Sequence, residues 1–153
     1  MLVVPLFIGF PSAVDAAGSS PFSSLSGSWL GTGTIAVSNG PSERIRCRAT
    51  YTVADDGFQL RQELRCASDS YNFQVSGRFT YRGGQIAGTW TEKTRNATGQ
   101  VSGTATGNEI RATVQGGGFS ASVLMVTRGN RQTVSMSTSR SDITSVSAEL
   151  RRS

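Results

Sequence analysis

A chain of 153 residues with no histidine, two cysteines and a single lysine has few routes to covalent chemistry. The missing histidine removes the usual general base, the commonest metal ligand and any Ser-His or Cys-His pair. Two cysteines alone do not complete a structural zinc site, which takes four Cys or His ligands. Asp55-Asp56-Gly57 sets two carboxylates at a turn tip, where Asp and Gly act first as turn formers. Lys93 lies beside Arg95 next to a turn and reads as a solvated cation. Glu92 and Glu109 have no obvious partner carboxylate. Gly31-Thr32-Gly33 and Gly116-Gly117-Gly118 lead into no helix, so neither is a phosphate loop. No catalytic residue, metal ligand or cofactor follows from these features. The expectation is a protein that is not an enzyme.

Arginine is the remaining chemical feature. Net charge is +5, and every basic residue except Lys93 is arginine. The stretch ERIRCRATYTV, ADDG, FQLRQELRCA (residues 43–67) concentrates them. In its first run Ile45, Cys47, Ala49, Tyr51 and Val53 share one face, and Arg44, Arg46 and Arg48 share the other. In its second run Phe58, Leu60, Leu64 and Cys66 oppose Gln59, Arg61, Glu63 and Arg65. Arg44, Arg46, Arg48, Arg61 and Arg65 therefore form an outward cationic face with only Glu63 to offset them. Such a face suits an anionic surface or partner, or simply keeps the protein soluble. Nothing in it specifies nucleic acid.

Period-two alternation of this quality is a half-buried antiparallel hairpin. Both cysteines fall on its apolar face, so a Cys47–Cys66 disulfide is expected. A two-residue loop would set Arg48 against Glu63. A four-residue loop sets Cys47 against Cys66 and Glu63 against Thr50, and it suits a bridge better, since bridged Cα atoms lie within about 7 Å.

The same alternation recurs along the chain. Trp29, Gly31, Gly33, Ile35 and Val37 share one face, as do Tyr71, Phe73, Val75, Gly77, Phe79 and Tyr81. Gly83-Gly84, Gly107-Asn108 and Gly129-Asn130 are two-residue hairpin loops. Pairing about them sets Trp90 across from Gly77, Phe79 across from Gly88, Val101 against Val114 and Met125 against Val134. Large aromatics over cross-strand glycines fill the space the glycines leave. Asn96-Ala97-Thr98, formally a glycosylation sequon, lies in a turn. No stretch of helical period follows the leader. About eight to ten antiparallel strands in simple succession give an all-β, up-and-down barrel, because closure removes the sheet's edges. A two-sheet sandwich is the second choice.

Leu2 to Phe10 is apolar and is followed by small residues, a secretory signal pattern with cleavage after Ala16. No Lys or Arg precedes the run. Residues 1–16 are read as a signal-like leader, 17–26 as a flexible segment and 27–153 as one barrel domain. No mature stretch is apolar enough to span a bilayer as a helix. An even cysteine pair fits an oxidising compartment. The expected location is periplasmic or secreted.

Gly27-Ser28-Trp29 on the first strand, with Arg151 and Arg152 ending the last, resembles the calycin superfamily of lipocalins, avidins and fatty-acid-binding proteins. The resemblance implies that Gly27, Trp29 and either Arg151 or Arg152 close one end of the barrel. Parity places Arg152 inward with Leu150. The phrases at 43–51, 64–70, 84–95 and 127–134 also resemble exported proteins of uncharacterised function from rhizobia and related alphaproteobacteria. The polar inward residues of biotin-binding members have no match. Tyr51, Tyr81, Trp90 and Phe79 are the candidate interior ligand contacts. Small inward residues such as Gly31, Gly103 and Ala112 either open a cavity or let aromatics pack against the wall, and a filled core is expected. Three functions follow: a non-enzymatic envelope protein touching an anionic component through its arginines, a carrier of a small apolar ligand, or a protease-inhibitor-like protein.

Overall fold

In a computed structural model, residues 5, 9, 20–54 and 57–153 are described. The signal-like leader, its cleavage site after Ala16 and the Asp55-Asp56 turn tip lie outside the described residues, apart from Pro5 and Gly9. The strands are β1 (Gly27–Val37), β2 (Glu43–Ala54), β3 (Gln59–Ala67), β4 (Asn72–Arg82), β5 (Gln85–Glu92), β6 (Ala97–Thr106), β7 (Glu109–Gly116), β8 (Phe119–Arg128), β9 (Arg131–Ser139) and β10 (Ile143–Arg152). Each pairs antiparallel with the next, and β1 pairs with β10, closing the barrel. The up-and-down barrel forms rather than the sandwich. No helix among the described residues is long and apolar enough to cross a membrane.

Tight turns and alternation set the registers. Gly83 and Gly84 both have positive φ, 57° and 85°, the conformation of a turn whose twist matches its strands. Gly77 faces Trp90 and Phe79 faces Gly88. Val101 faces Val114, and Met125 faces Val134. The ring positions differ in part from the expectation. Phe79 lies over both Gly77 and Gly88, whereas Trp90 covers Gly99 on the opposite neighbour, β6. Cross-strand position fixes where a Cβ starts; the rotamer decides which neighbour the ring covers.

Cys47 and Cys66 face each other in the β2–β3 register and are bridged, with Cα atoms 4.1 Å apart. Glu63 accordingly stands opposite Thr50. Phe58, expected on the apolar face, is 39 % exposed instead. It precedes β3 and stacks on Tyr81 outside the strand alternation, with ring centroids 6.4 Å apart.

The barrel has two unlike ends. At one end, Ser23–Leu25 forms a 3-10 turn ahead of β1. Phe22 and Leu25 are 1 % exposed, packed with Trp29, Tyr51 and Leu150. Burial of two such side chains contributes about 1.5–3 kcal/mol each. This part of the expected flexible segment is thus the barrel's plug. The other end carries the 38–42, 68–71, 93–96 and 140–142 connections around a mouth.

The bridge closes a sequence separation of 19 residues. Replacing both cysteines with alanine is expected to lower unfolding free energy by about 3 kcal/mol in a urea titration. A loss below about 0.5 kcal/mol would show that the ladder alone holds β2 against β3.

Candidate functional site

The interior is packed on one side and open on the other. Trp29, Ile35, Ile45 and Ala49, all on β1 and β2, are at most 1 % exposed. Val75, Val114, Val123, Val134, Met136 and Val146 also point inward, yet they remain only half-buried. An inward side chain cannot reach solvent through the sheet, so this exposure is to the space inside. The expected filled core therefore holds at the plugged end and against β1–β2, and gives way to a hollow lined by β4 and β7–β10. Ten strands make a wall wide enough that valine and methionine do not meet across it.

A polar cluster sits deep in this space. The Tyr51 hydroxyl donates to Gln132 Oε1 at 3.2 Å and accepts from Gln62 Nε2 at 3.4 Å. Gln132 Nε2 donates to Thr127 Oγ1 at 3.2 Å. Met125 Sδ lies 3.8 Å from the Tyr51 oxygen. Gln132 is fully buried, which its paired amide makes tolerable. Burial pushes the Tyr51 phenol above its ordinary value, and the bonds to Gln62 and Gln132 offset only part of that. The phenol stays neutral and keeps its proton for Gln132.

The other interior candidates have structural partners. Tyr81 packs edge-on against Phe22 of the plug, with centroids 6.2 Å apart. Phe79 is spent on its two glycines. Trp90 donates from Nε1 to the Gln115 carbonyl at 3.2 Å and tilts against Phe119. Gln62, Thr127 and Gln132 are polar inward residues that the sequence pattern alone does not mark out, and Glu92, which the sequence shows without a partner carboxylate, is a fourth. Their signal is nevertheless present, since each occupies an apolar-face position, as Gln62 does between Leu60 and Leu64.

At the plugged end the Arg152 guanidinium lies 4.4 Å over the Trp29 ring. It donates to the carbonyls of Ser24 and Ser26 and to Asn130 Oδ1. Trp29 Nε1 donates to the Leu25 carbonyl at 2.8 Å. Gly27, at φ 120°, lies beside the Arg152 guanidinium. Arg151 points outward and is exposed.

At the mouth Glu92 is buried and fully engaged. It accepts from Gln74 N, the Thr94 hydroxyl, Arg95 N and the Arg95 side chain. Burial alone would raise its pKa, but these bonds together hold it below the ordinary 4.5. Arg95 also lies 4.7 Å over Phe73, which stacks on Tyr71.

On the outside, closure extends the arginine face beyond β2 and β3. Arg131, Arg151, Leu30, Arg48 and Arg65 stand in one cross-strand row over β9, β10, β1, β2 and β3. Arg61 likewise faces Arg78. Arg131 pairs with Glu149 at 3.1 Å. Among the described residues no ion pair reaches Arg44, Arg46, Arg48, Arg61, Arg65 or Arg151. Glu63 accepts the Ser76 hydroxyl at 2.7 Å instead of an arginine. Leu30, 43 % exposed, lies in a shallow groove with Arg46, Arg48 and Arg65.

No family model and no curated protein sequence matches the chain. Solved structures do. Rv2717c from M. tuberculosis superposes with a TM-score of 0.70 at 15 % identity, over 86 % of this chain and 94 % of that one. The S-type phycobiliprotein lyase CPES from Guillardia theta superposes at 0.63 and 10 % identity, over 86 % and 90 %. The fold is thus a calycin-like barrel of ten strands. The second neighbour also corrects the expectation that the chain is not an enzyme, because a phycobiliprotein lyase is built on a barrel of this architecture. Lack of histidine removes particular catalytic pairs. It does not remove what a cavity achieves by holding reactants in place.

Glu92 carries a pH dependence. A carboxylate with a lowered folded pKa stabilises the fold above about pH 4.5, and that contribution is lost as pH falls through its folded value. Glu92→Gln is expected to melt at a lower temperature than the native chain at neutral pH and to lose less on acidification. Parallel melting curves across the acid range would refute this.

Proposed function

We propose that the barrel carries a small, largely apolar ligand in its interior. The observation that carries this reading is the half-buried apolar lining of β4 and β7–β10, set above a hydrogen-bonding floor. Apolar walls with a few convergent polar groups are the usual makeup of a small-molecule site. Export to the periplasm or beyond belongs to the same reading. The Cys47–Cys66 bridge favours an oxidising compartment, and the apolar run at residues 2–10 suits a leader. The likeness of the 43–51 and 84–95 phrases to exported alphaproteobacterial proteins points the same way. The inhibitor alternative gains nothing from the geometry: the described connections are short, and Phe22 to Leu25 are spent closing the barrel.

A second reading has its own observation. Like charges directly opposite on a sheet repel, and Arg48 faces Arg65 with no carboxylate of the described residues on either. An anionic lipid surface of the envelope would relieve that repulsion, with Leu30 reaching between the headgroups.

The neutral dye N-phenyl-1-naphthylamine is expected to brighten on binding the native protein. Val123→Trp, which fills the hollow, should weaken binding by about tenfold or more, about 1.4 kcal/mol, with the fold retained by circular dichroism. A dye that stays dark with the native protein overturns the carrier reading.

Cosedimentation with phosphatidylglycerol vesicles tests the second reading. Binding should occur at low salt and fade as ionic strength rises. The Arg48→Ala, Arg65→Ala, Arg151→Ala triple variant should lose about 3 kcal/mol of affinity. No binding at low salt removes this reading and leaves the carrier reading standing.

A further inference from the structure

The interior's charge inventory narrows the ligand. By strand parity, Arg152 is the one Lys or Arg that points inward among the described residues, and its guanidinium is committed to Trp29 and to three acceptors at the plugged end. The inward carboxylates by the same parity, Glu43 and Glu92, are likewise committed at the mouth, Glu43 accepting from the Ser68 hydroxyl and Ser70 N and Glu92 from Gln74 N, Thr94 and Arg95. Among the described residues the hollow between them offers no free counter-ion. An ion brought to the floor would lose its hydration without a partner, which is costly in a low-dielectric interior.

The floor does offer hydrogen bonds. Gln132 is closed off, with Oε1 accepting from Tyr51 and Nε2 donating to Thr127. Gln62 is different. It is half-buried, and one of its N–H groups reaches the Tyr51 oxygen. Its Oε1 accepts no hydrogen bond among the described groups, yet no buried side-chain oxygen is left without a partner. That oxygen is therefore open to the hollow. Gln62 presents a free carbonyl acceptor and a second amide N–H side by side, a pair that a carboxamide matches fully and a hydroxyl in part. Tyr51, held neutral and anchored to Gln132, fixes the Gln62 side chain from behind.

We propose that the barrel takes an uncharged amphiphile, apolar along its body, whose buried end is a carboxamide or hydroxyl paired with the Gln62 amide. The proposal rests on the interior-carrier reading. The half-buried Val75, Val123 and Met136 line the body of the ligand. A matching carboxylate is rejected because no described residue on the floor neutralises it.

Displacement of N-phenyl-1-naphthylamine by two ligands of one chain length tests this. Near pH 7.5, where a free carboxylic acid is ionised, decanamide is expected to compete about tenfold better than decanoate. Gln62→Leu should weaken decanamide by about five- to tenfold more than it changes the dye's own affinity, measured on the same variant, which is the range of one hydrogen bond. Decanoate competing as well as decanamide on the native protein overturns the proposal, and that comparison needs no variant. Decanamide unaffected by Gln62→Leu also overturns it. In both cases a bound dye leaves the carrier reading in place, whereas a dye that never binds removes both.

Discussion

Everything in this protein depends on β1 pairing with β10. The ladder runs from Trp29–Arg152 to Val37–Ile143 and turns an open sheet of antiparallel strands into a wall with no edge. The approach is close. A Cβ on Gly31 or Gly33 would run into the β10 backbone at Glu149 or Ser147. Two glycines on the inner face of β1 thus let the last strand reach the first. The same closure brings Arg152 onto Trp29, and with it the contacts that fasten Ser24 and Ser26 under the barrel. The plug is therefore a consequence of closure and also its lock.

With one end sealed, the inside becomes directional. Aromatic and aliphatic side chains fill the plugged end and the β1–β2 wall. Smaller residues across from them, such as Ala112 and Gly103, leave room. The polar groups are arranged by the same geometry. Tyr51, Gln62, Thr127 and Gln132 come from four strands and meet because their inward positions lie near one level of the barrel. A ligand that reaches them has passed the apolar lining first. Shape and chemistry thus point along one axis, from the mouth with Glu92 and Arg95 to the floor with Gln62.

The outer surface carries two unlike rows. β6 to β10 carry Ser102, Thr113, Ser122, Ser137 and Ser145 in one register row. A second row, from β9 through β10 and β1 to β3, carries arginines, including the Arg48–Arg65 pair that no described neighbour neutralises. Hydroxyls on a sheet's solvent face need no explanation. A row of guanidiniums with a leucine in its midst costs self-repulsion, which a chain selected for stability alone would have little reason to keep.

Sequence alone determined the strands, most of the registers and the disulfide. These are local matters: alternation of period two assigns a face to each residue, and a two-residue glycine turn then fixes which residues pair. Val101 against Val114 could be read because only Gly107-Asn108 separates their strands. Arg152 could be placed inward by parity with Leu150. The tertiary structure alone decided the rest. Whether an inward valine is buried or lines a hollow depends on strand number and on what stands across the barrel, which no single strand encodes. Phe22 and Leu25 became a plug only once there was an end to close. Gln62 stands opposite Tyr51 in the β2–β3 register, but Gln132 reaches Tyr51 only because the barrel closes. Arg151 joined Arg48 in one row only because the last strand lies beside the first. Face follows from neighbours in sequence; company follows from neighbours in space.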